Sequence, residues 1–238
     1  METKKSKIIT AYKVAFPYTL PILTGYLFIG IAFGVMFAKK SYGVGWAGLM
    51  SLSVYAGAGQ YLATNFFVPG ISLMHVFFLT LMVNIRHVFY GLSLLEPFSK
   101  MGKYKWYMIF SLTDETYSLL CTTKRPDGVS TKQFLFAIAT LDHFYWILGS
   151  IIGSLAGTYI PFDATGIDFA MTALFVVILV EQWMDSSNRQ PVCIGVIISI
   201  IMLVIFGKDS FILPTMLCIM AFLLARRSKL DDAIEEKS

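Results

Sequence analysis

The chain contains 238 residues, of which 56% are apolar and 14% are charged, and its formal net charge is +4. About a quarter of the residues in a typical soluble domain are charged, so this chain has too few charged side chains to cover such a domain's surface. The composition excludes an ordinary soluble globule and indicates an integral membrane protein.

A long apolar segment, 14–38, follows a basic N-terminal segment, 1–13. The hydrophobic region of a secretory signal peptide is only about 7–15 residues long, whereas about 20 residues are needed to span a bilayer. The sequence therefore predicts a first membrane helix here rather than a removable leader.

Further apolar segments follow in chain order. They lie at 44–67, 70–95, 106–123, 134–160, 168–184, 191–206 and 211–225. Three of them, 106–123, 191–206 and 211–225, are short or carry acidic residues, so they need not be full crossings. The pattern predicts an all-α polytopic membrane protein with about eight (seven to eight) transmembrane or half-membrane helices. These form a single domain over 14–225, followed by a tail, 226–238.

The distribution of lysine and arginine offers a test of topology, because cytoplasmic loops carry an excess of these residues. With eight crossings, 12 of them lie on the side of the N-terminus and 6 lie on the other side. This bias predicts cytoplasmic termini. If 106–123 does not cross the membrane the bias weakens, and the sequence leaves that question open.

The chain resembles itself weakly over two halves, about 14–105 and 134–225. Gly30 corresponds to Gly149 at an offset of 119 residues, and Arg86 corresponds to Lys208 at an offset of 122. Many secondary transporters are built from internal repeats whose helices are broken near the middle of the membrane. We therefore predict a repeat with broken helices, and the sequence does not decide whether it is inverted or parallel.

Five glycines are spaced four residues apart on two of the predicted helices. They are Gly30 and Gly34 on the first, and Gly149, Gly153 and Gly157 on the second. Small residues at this spacing allow helix backbones to approach closely in lipid. We expect these glycines to serve helix packing.

The stretch "VYAGAGQYLATN" places alternating alanine and glycine before an amide side chain. Glycine weakens a helix by about 0.8–1.0 kcal/mol relative to alanine, so the backbone could unwind at 56–59. Backbone freed in this way, together with nearby amides, could hold the charged groups of a zwitterion. The candidate substrate-binding residues are Gly57, Gly59, Gln60 and Asn65; a tight helix crossing is an equally good interpretation.

The stretch "LMVNIRHVFYGLSLL" places Asn84, Arg86 and His87 inside a strongly apolar segment. A charge at the centre of a membrane helix costs about 2.5–3.5 kcal/mol on insertion scales, so such residues usually face a polar interior. The apolar segment continues through Leu95, which argues against an arginine that simply reaches the interface. We predict a break between two half-helices at Asn84–His87, with Asn84 and Arg86 in the substrate site.

Two acidic sites could partner Arg86 or carry a proton. "LTDETY" contains Asp114 and Glu115, and "TLDHFYW" contains Asp142 and His143. Intramembrane charges tend to pair, so either Asp114 or Asp142 could neutralise the arginine. We assign a proton-coupling or polar network to His87, Asp114, Glu115, Asp142, His143 and Glu181. Each could instead be a satisfied polar residue at a helix end, an interpretation that fits Glu181 best and Asp142 least.

The common catalytic and nucleotide-binding motifs are absent from the sequence, and its three histidines have no metal-ligand spacing. We therefore predict no enzyme activity, no cofactor and no metal. Two alternatives remain open: an intramembrane enzyme that uses His87 or His143 as a base, and a membrane scaffold that transports nothing.

The chain resembles the AzlC family at "YAGAGQYLATNFF" (55–67), "TLMVNIRHVFYGLSL" (80–94) and "LTDETY" (112–117), with weaker support from "ALFVVILVEQ" (173–182). This resemblance implies the large subunit of a two-component exporter in the cell membrane. It further implies a small AzlD-type membrane subunit as partner, a branched-chain amino acid as substrate, and a proton gradient as the energy source. It does not identify the main substrate, the coupling ion's stoichiometry, the oligomeric state or the binding residues.

Overall fold

The computed structural model describes residues 4–67, 69–123, 126, 128–160, 166, 169, 172–173, 176, 179–180, 183–184, 189–207 and 211–226. These residues are mostly helical and include no strand, which confirms the all-α prediction. The chain divides into two compact units, Met1–Ala170 and Met171–Ser238. Two predicted features, Glu181 and the repeat position Lys208, lie outside the described residues.

The helices of the first unit are α1 (Lys4–Lys39), α2 (Val44–Ser53), α3 (Gly57–Ala63), α4 (Leu73–Asn84), α5 (Arg86–Ser93), α6 (Leu95–Ser99), a 3₁₀ turn (Gly102–Tyr104), α7 (Lys105–Phe110), α8 (Asp114–Thr122) and α9 (Thr131–Tyr159). In the second unit, α10 (Gln190–Phe206) packs against α11 (Ile212–Ala225).

Three described stretches are long and apolar enough to cross a membrane: Lys7–Lys39, Leu73–Ser93 and Thr131–Tyr159. Val44–Ser53 and Gln190–Phe206 are apolar but shorter. The total of seven to eight crossings therefore stays a prediction.

Helices α1 and α9 form the most extensive helix pair of the first unit and run in the same direction. Thr19 on α1 lies 3.0 Å from Tyr145 on α9, hydroxyl to hydroxyl. Further along both helices, Gly30 lies against Gly149. Residues later in α1 thus contact residues later in α9, so the two helices are parallel.

The predicted glycine faces lie at this helix contact. A β-carbon on Gly34 would overlap the Ser150 carbonyl oxygen, and one on Gly153 would overlap the Ile31 carbonyl oxygen. The two contacts are equivalent, because each joins a glycine of one helix to a residue one turn earlier on the other helix. Ser150 follows Ile31 by 119 residues, and Gly153 follows Gly34 by the same number. At Gly157 an added β-carbon would approach the Val35 α-carbon within 2.9 Å, so these three positions admit no β-carbon unless the backbones move apart.

Among the helix interruptions in the described part of the first unit, three lie at or beside the predicted polar stretches: Val54–Ala56 between α2 and α3, Ile85 between α4 and α5, and Ser111–Thr113 between α7 and α8. The first differs from the predicted unwinding at 56–59, because α3 already includes Gly57 and Gly59. Tyr55 instead interrupts the helix, with φ of 40°. Its ring is buried in the core, and this packing decides the position of the break rather than the helix propensity of the glycines.

Candidate functional site

The first interruption is held against the middle of α9. The Tyr55 ring stacks on the His143 ring with centroids 4.1 Å apart. Nε2 of His143 lies 3.1 Å from the Ser51 carbonyl oxygen, which is one of the terminal carbonyls that a helix leaves without an internal partner. His143 therefore satisfies the end of α2 and positions Tyr55.

These contacts also determine the protonation of His143. A carbonyl oxygen only accepts a hydrogen bond, so Nε2 carries the proton. The Tyr107 hydroxyl lies 2.9 Å from Nδ1 and can donate to it. A neutral imidazole meets both contacts without an additional proton.

Gln60 joins α3 to α2 and α9. Its side chain is fully buried; Oε1 accepts a hydrogen bond from Trp146 Nε1 at 2.8 Å, and Nε2 donates to the Ser51 hydroxyl at 3.1 Å. The Ser51 hydroxyl donates in turn to that of Ser150 at 2.8 Å. In this conformation the amide proposed to bind substrate is engaged by the protein itself.

The other candidates on this stretch occupy different surroundings. A β-carbon on Gly57 would lie 3.3 Å from the Trp146 ring, and one on Gly59 would lie 3.1 Å from the Asn84 amide nitrogen. Asn65 is exposed in the turn that follows α3. The structure thus brings Gly59 to the second interruption and places Asn65 outside the cluster.

The second interruption is one residue long. Helix α4 ends at Asn84 and α5 begins at Arg86, and Ile85 between them has helical dihedral angles of −58° and −26°. The Val88 N–H donates to the Ile85 carbonyl at 3.0 Å, three residues back rather than four. Nδ1 of His87 donates to the Asn84 carbonyl at 3.0 Å. The predicted break therefore has the form of a tightened turn whose carbonyl is satisfied by the histidine.

Arg86 forms an ion pair with Asp114 at the start of α8. Nη1 of the arginine lies 2.9 Å from Oδ2 of the aspartate, and the two side chains are 29% and 20% exposed. The pair joins the second interruption to the third and neutralises the charge in the apolar segment. Of the two aspartates suggested as partners, the structure pairs Arg86 with Asp114.

The third interruption presents a hydroxyl and two acids at the start of α8. The Thr113 side chain caps the helix by accepting from the Thr116 N–H at 3.3 Å. Asp114 and Glu115 occupy the first turn, where the helix dipole favours negative charge. The buried Tyr26 hydroxyl of α1 contacts Thr113 and lies 2.9 Å from Oε2 of Glu115.

Asp142 lies in the interior of α9 and is fully buried. Its Oδ2 accepts a hydrogen bond from the Thr116 hydroxyl at 2.9 Å. Within the described part of the chain, its Oδ1 has no hydrogen-bond partner. A buried carboxyl group with one unsatisfied oxygen is costly in its charged form.

Sequence reasoning missed several residues of this cluster, among them Tyr26, Thr113, Thr116 and Trp146. Thr113 had a recognisable signal, because threonine directly before two acidic residues is typical of a helix start. Tyr26 had none, since its partners follow it by 87 and 89 residues.

Among the described residues, no group of three or more His, Cys, Asp or Glu side chains could hold a metal ion.

The chain matches the family model described as "AzlC protein" over residues 21–160. This range contains all three interruptions and every residue of the cluster described above. No solved structure matches the chain.

Curated relatives cover almost the whole chain. A Bacillus subtilis protein named "Branched-chain amino acid transport protein AzlC" is 40% identical over 230 residues, which are 97% of this chain and 91% of the relative. An uncharacterized membrane protein of Helicobacter pylori strain 26695 is 39% identical over 94% of this chain and 99% of its own. Another, from Haemophilus influenzae, is 37% identical over 96% and 94%.

Proposed function

Because this chain belongs to the AzlC family, we propose that it is a secondary transporter subunit that exports branched-chain amino acids. The observation that carries this proposal is the 40% identity over 97% of the chain to a relative named as a branched-chain amino acid transport protein. The chain itself is a membrane protein, as its apolar helices and its relatives indicate.

The three interruptions support a transport pathway in the first unit. They bring an ion pair, two further carboxyl groups and a set of hydroxyl groups together among helices that are otherwise apolar. Non-helical backbone, which the first and third interruptions contain, is tolerated at membrane depth where it is buried in protein or lines a cavity. Such breaks also provide the substrate sites of many secondary transporters.

The second interruption offers complementary groups for a zwitterion. Asn84 donates from Nδ2 to the Thr80 carbonyl at 2.9 Å, and its Oδ1 has no hydrogen-bond partner among the described residues. This oxygen would accept from the substrate ammonium, while Arg86 would donate to the substrate carboxylate in exchange for Asp114. Gly59 leaves space beside the Asn84 amide. Gln60 would contribute only if it released Trp146.

The coupling ion, the partner and the orientation belong to the same proposal. Protons would drive export, and a small AzlD-type membrane subunit would complete the exporter. The protein would lie in the cell membrane with both termini in the cytoplasm, which the excess of basic residues on that side supports.

We propose a transporter rather than an enzyme that uses a histidine as base. Both ring nitrogens of His143 already contact Tyr107 and Ser51, and Nδ1 of His87 contacts the Asn84 carbonyl. Replacing either histidine by glutamine tests this choice. Transport that persists in both variants would remove the main support for the enzyme.

Efflux of labelled valine from reconstituted vesicles tests the proposed function. Vesicles would contain this chain alone, or this chain together with the small subunit, and empty vesicles would provide the background. We expect efflux above background with both subunits present, and a larger rate with an imposed proton gradient. Fluxes equal to those of empty vesicles in both preparations would contradict the proposal.

A further inference from the structure

A continuous series of hydrogen bonds connects two carboxyl groups across the first unit. Oε2 of Glu115 lies 2.9 Å from the Tyr26 hydroxyl, which contacts the Thr113 hydroxyl. The Thr113 hydroxyl lies 3.1 Å from that of Thr116, which lies 2.9 Å from Oδ2 of Asp142. We call this series the hydroxyl chain. It links α1, α8 and α9.

The hydroxyl chain needs one proton more than its hydroxyl groups provide. It contains four oxygen–oxygen contacts, and each needs one hydrogen between its oxygens. Tyr26 and the two threonines supply three hydrogens, because each hydroxyl has only one to donate. The fourth must come from a carboxyl group, so either Glu115 or Asp142 is protonated. Two ionised carboxylates would leave one contact without a hydrogen.

The two ends of the hydroxyl chain have different surroundings. Asp142 is fully buried, and its Oδ1 has no partner within the described part of the chain. Glu115 is partly exposed as a residue and follows Asp114, whose ion pair with Arg86 is also partly exposed. The hydroxyl chain therefore connects a partly exposed residue to a fully buried one.

Apart from Tyr55, whose buried hydroxyl has no hydrogen-bond partner within the described part of the chain, the other titratable groups around the hydroxyl chain already have partners. Arg86 and Asp114 neutralise each other. His143, next to Asp142, is satisfied as a neutral ring by Tyr107 and Ser51. The Tyr55 ring stacks on His143 and adds no charge as a neutral phenol. The extra proton is therefore shared by Glu115 and Asp142 rather than by these neighbours.

We propose that Glu115 and Asp142 share a single proton through Tyr26, Thr113 and Thr116, and that this relay is the coupling path of the transporter. The coupling role rests on the proposed function, whereas the shared proton does not. When each of the four hydrogens shifts to the next oxygen, one proton leaves Asp142 and one arrives at Glu115. The three hydroxyl groups are unchanged, and the charge moves from one carboxyl group to the other.

Infrared spectroscopy of the purified full-length chain at neutral pH tests the shared proton without any substrate. We expect the carbonyl band of one protonated carboxyl group in the unsubstituted protein. Either Glu115→Gln or Asp142→Asn should abolish this band, because the introduced amide donates the missing hydrogen. Glu96→Gln should retain it, since Glu96 is an exposed carboxylate paired with Lys100.

The same spectra can overturn the proposal. A protein without a protonated carboxyl group would mean that one of the two contacts of the Thr113 hydroxyl, with Tyr26 or with Thr116, carries no hydrogen and that the relay is interrupted. A band that survives in either single variant would mean that the proton belongs to one residue alone. The first result needs no substitution, so it holds even if a variant does not fold.

Proton-coupled flux tests the role of the relay. We expect Thr113→Val to lose the part of amino acid transport that depends on the proton gradient while keeping exchange of labelled for unlabelled substrate. Thr113→Ser keeps the hydroxyl and should keep both activities. If the chain moves no amino acid, flux is absent in every variant while the infrared pattern persists. If Thr113→Val keeps its proton dependence, the relay is not the coupling path although the transporter function stands.

Discussion

Arg86 and Asp114 approach each other within 2.9 Å and thereby connect two interrupted helices that are distant in sequence. The arginine begins α5 and the aspartate begins α8. The pair allows a permanent charge to lie in an apolar segment, and it also leaves that charge available for exchange. A substrate carboxylate that replaces Asp114 would keep the arginine neutralised.

We expect Arg86→Gln to abolish transport, because Asp114 loses its partner and the substrate carboxylate loses its donor. Leaving one charge of a partly buried pair unsatisfied should lower the free energy of unfolding by about 1–3 kcal/mol. Lys100→Gln is the control, since it breaks an exposed pair with Glu96. Thermal melting in detergent and valine efflux measure the two effects. A folded Arg86→Gln protein with normal efflux would contradict the substrate role.

Asn84→Ala should raise the KM for amino acid more than it lowers the maximum rate. The substitution removes the Oδ1 acceptor proposed for the substrate ammonium, while α4 keeps a good helix former. Asn65→Ala is the matched control, because Asn65 is exposed in a turn outside the cluster. Equal effects of both substitutions on the KM would argue against a binding role for Asn84.

Gly153→Ala should destabilise the protein, because the added β-carbon would overlap the Ile31 backbone on α1. Overpacking of this kind typically costs about 1–3 kcal/mol. Gly25→Ala on α1 is the control, since an added β-carbon there meets nothing within 4 Å. The two melting temperatures should move in opposite directions. A Gly153→Ala protein as stable as the unsubstituted one would mean that the helices separate at no cost.

Trp146→Phe should destabilise the protein by about 1–3 kcal/mol, because the buried Gln60 oxygen loses its donor. Trp106→Phe is the control, because the Trp106 ring is exposed. If Gln60 instead binds substrate, the freed amide should lower the KM while stability falls. Unchanged melting temperature and unchanged KM would contradict the role of this contact.

The sequence predicted the features that depend on local pattern. An arginine inside an apolar segment indicated a break near Asn84, and the structure has only a tightened turn there, at Ile85, whose dihedral angles remain helical. The position of the earlier break was wrong by a few residues, because the packing of Tyr55 on His143 outweighs the low helix propensity of the glycines. The hydroxyl chain could not be predicted, since it depends on Tyr26 meeting residues far along the chain.

The parallel arrangement of α1 and α9 limits how often the chain between them can cross the membrane. If both helices span the membrane, they begin on the same side, so the chain from Lys40 to Ser130 must cross it an odd number of times. If 44–67 and 70–95 each cross once, 106–123 must therefore cross as well. Any repeat that relates α1 to α9 must then be parallel, about an axis along the membrane normal. In a chain whose three cysteines are replaced by serine, Lys7→Cys and Lys132→Cys should react with an impermeant reagent from one side. Lys40→Cys should react from the other. Labelling of Lys7→Cys and Lys132→Cys from opposite sides would mean an even number of crossings.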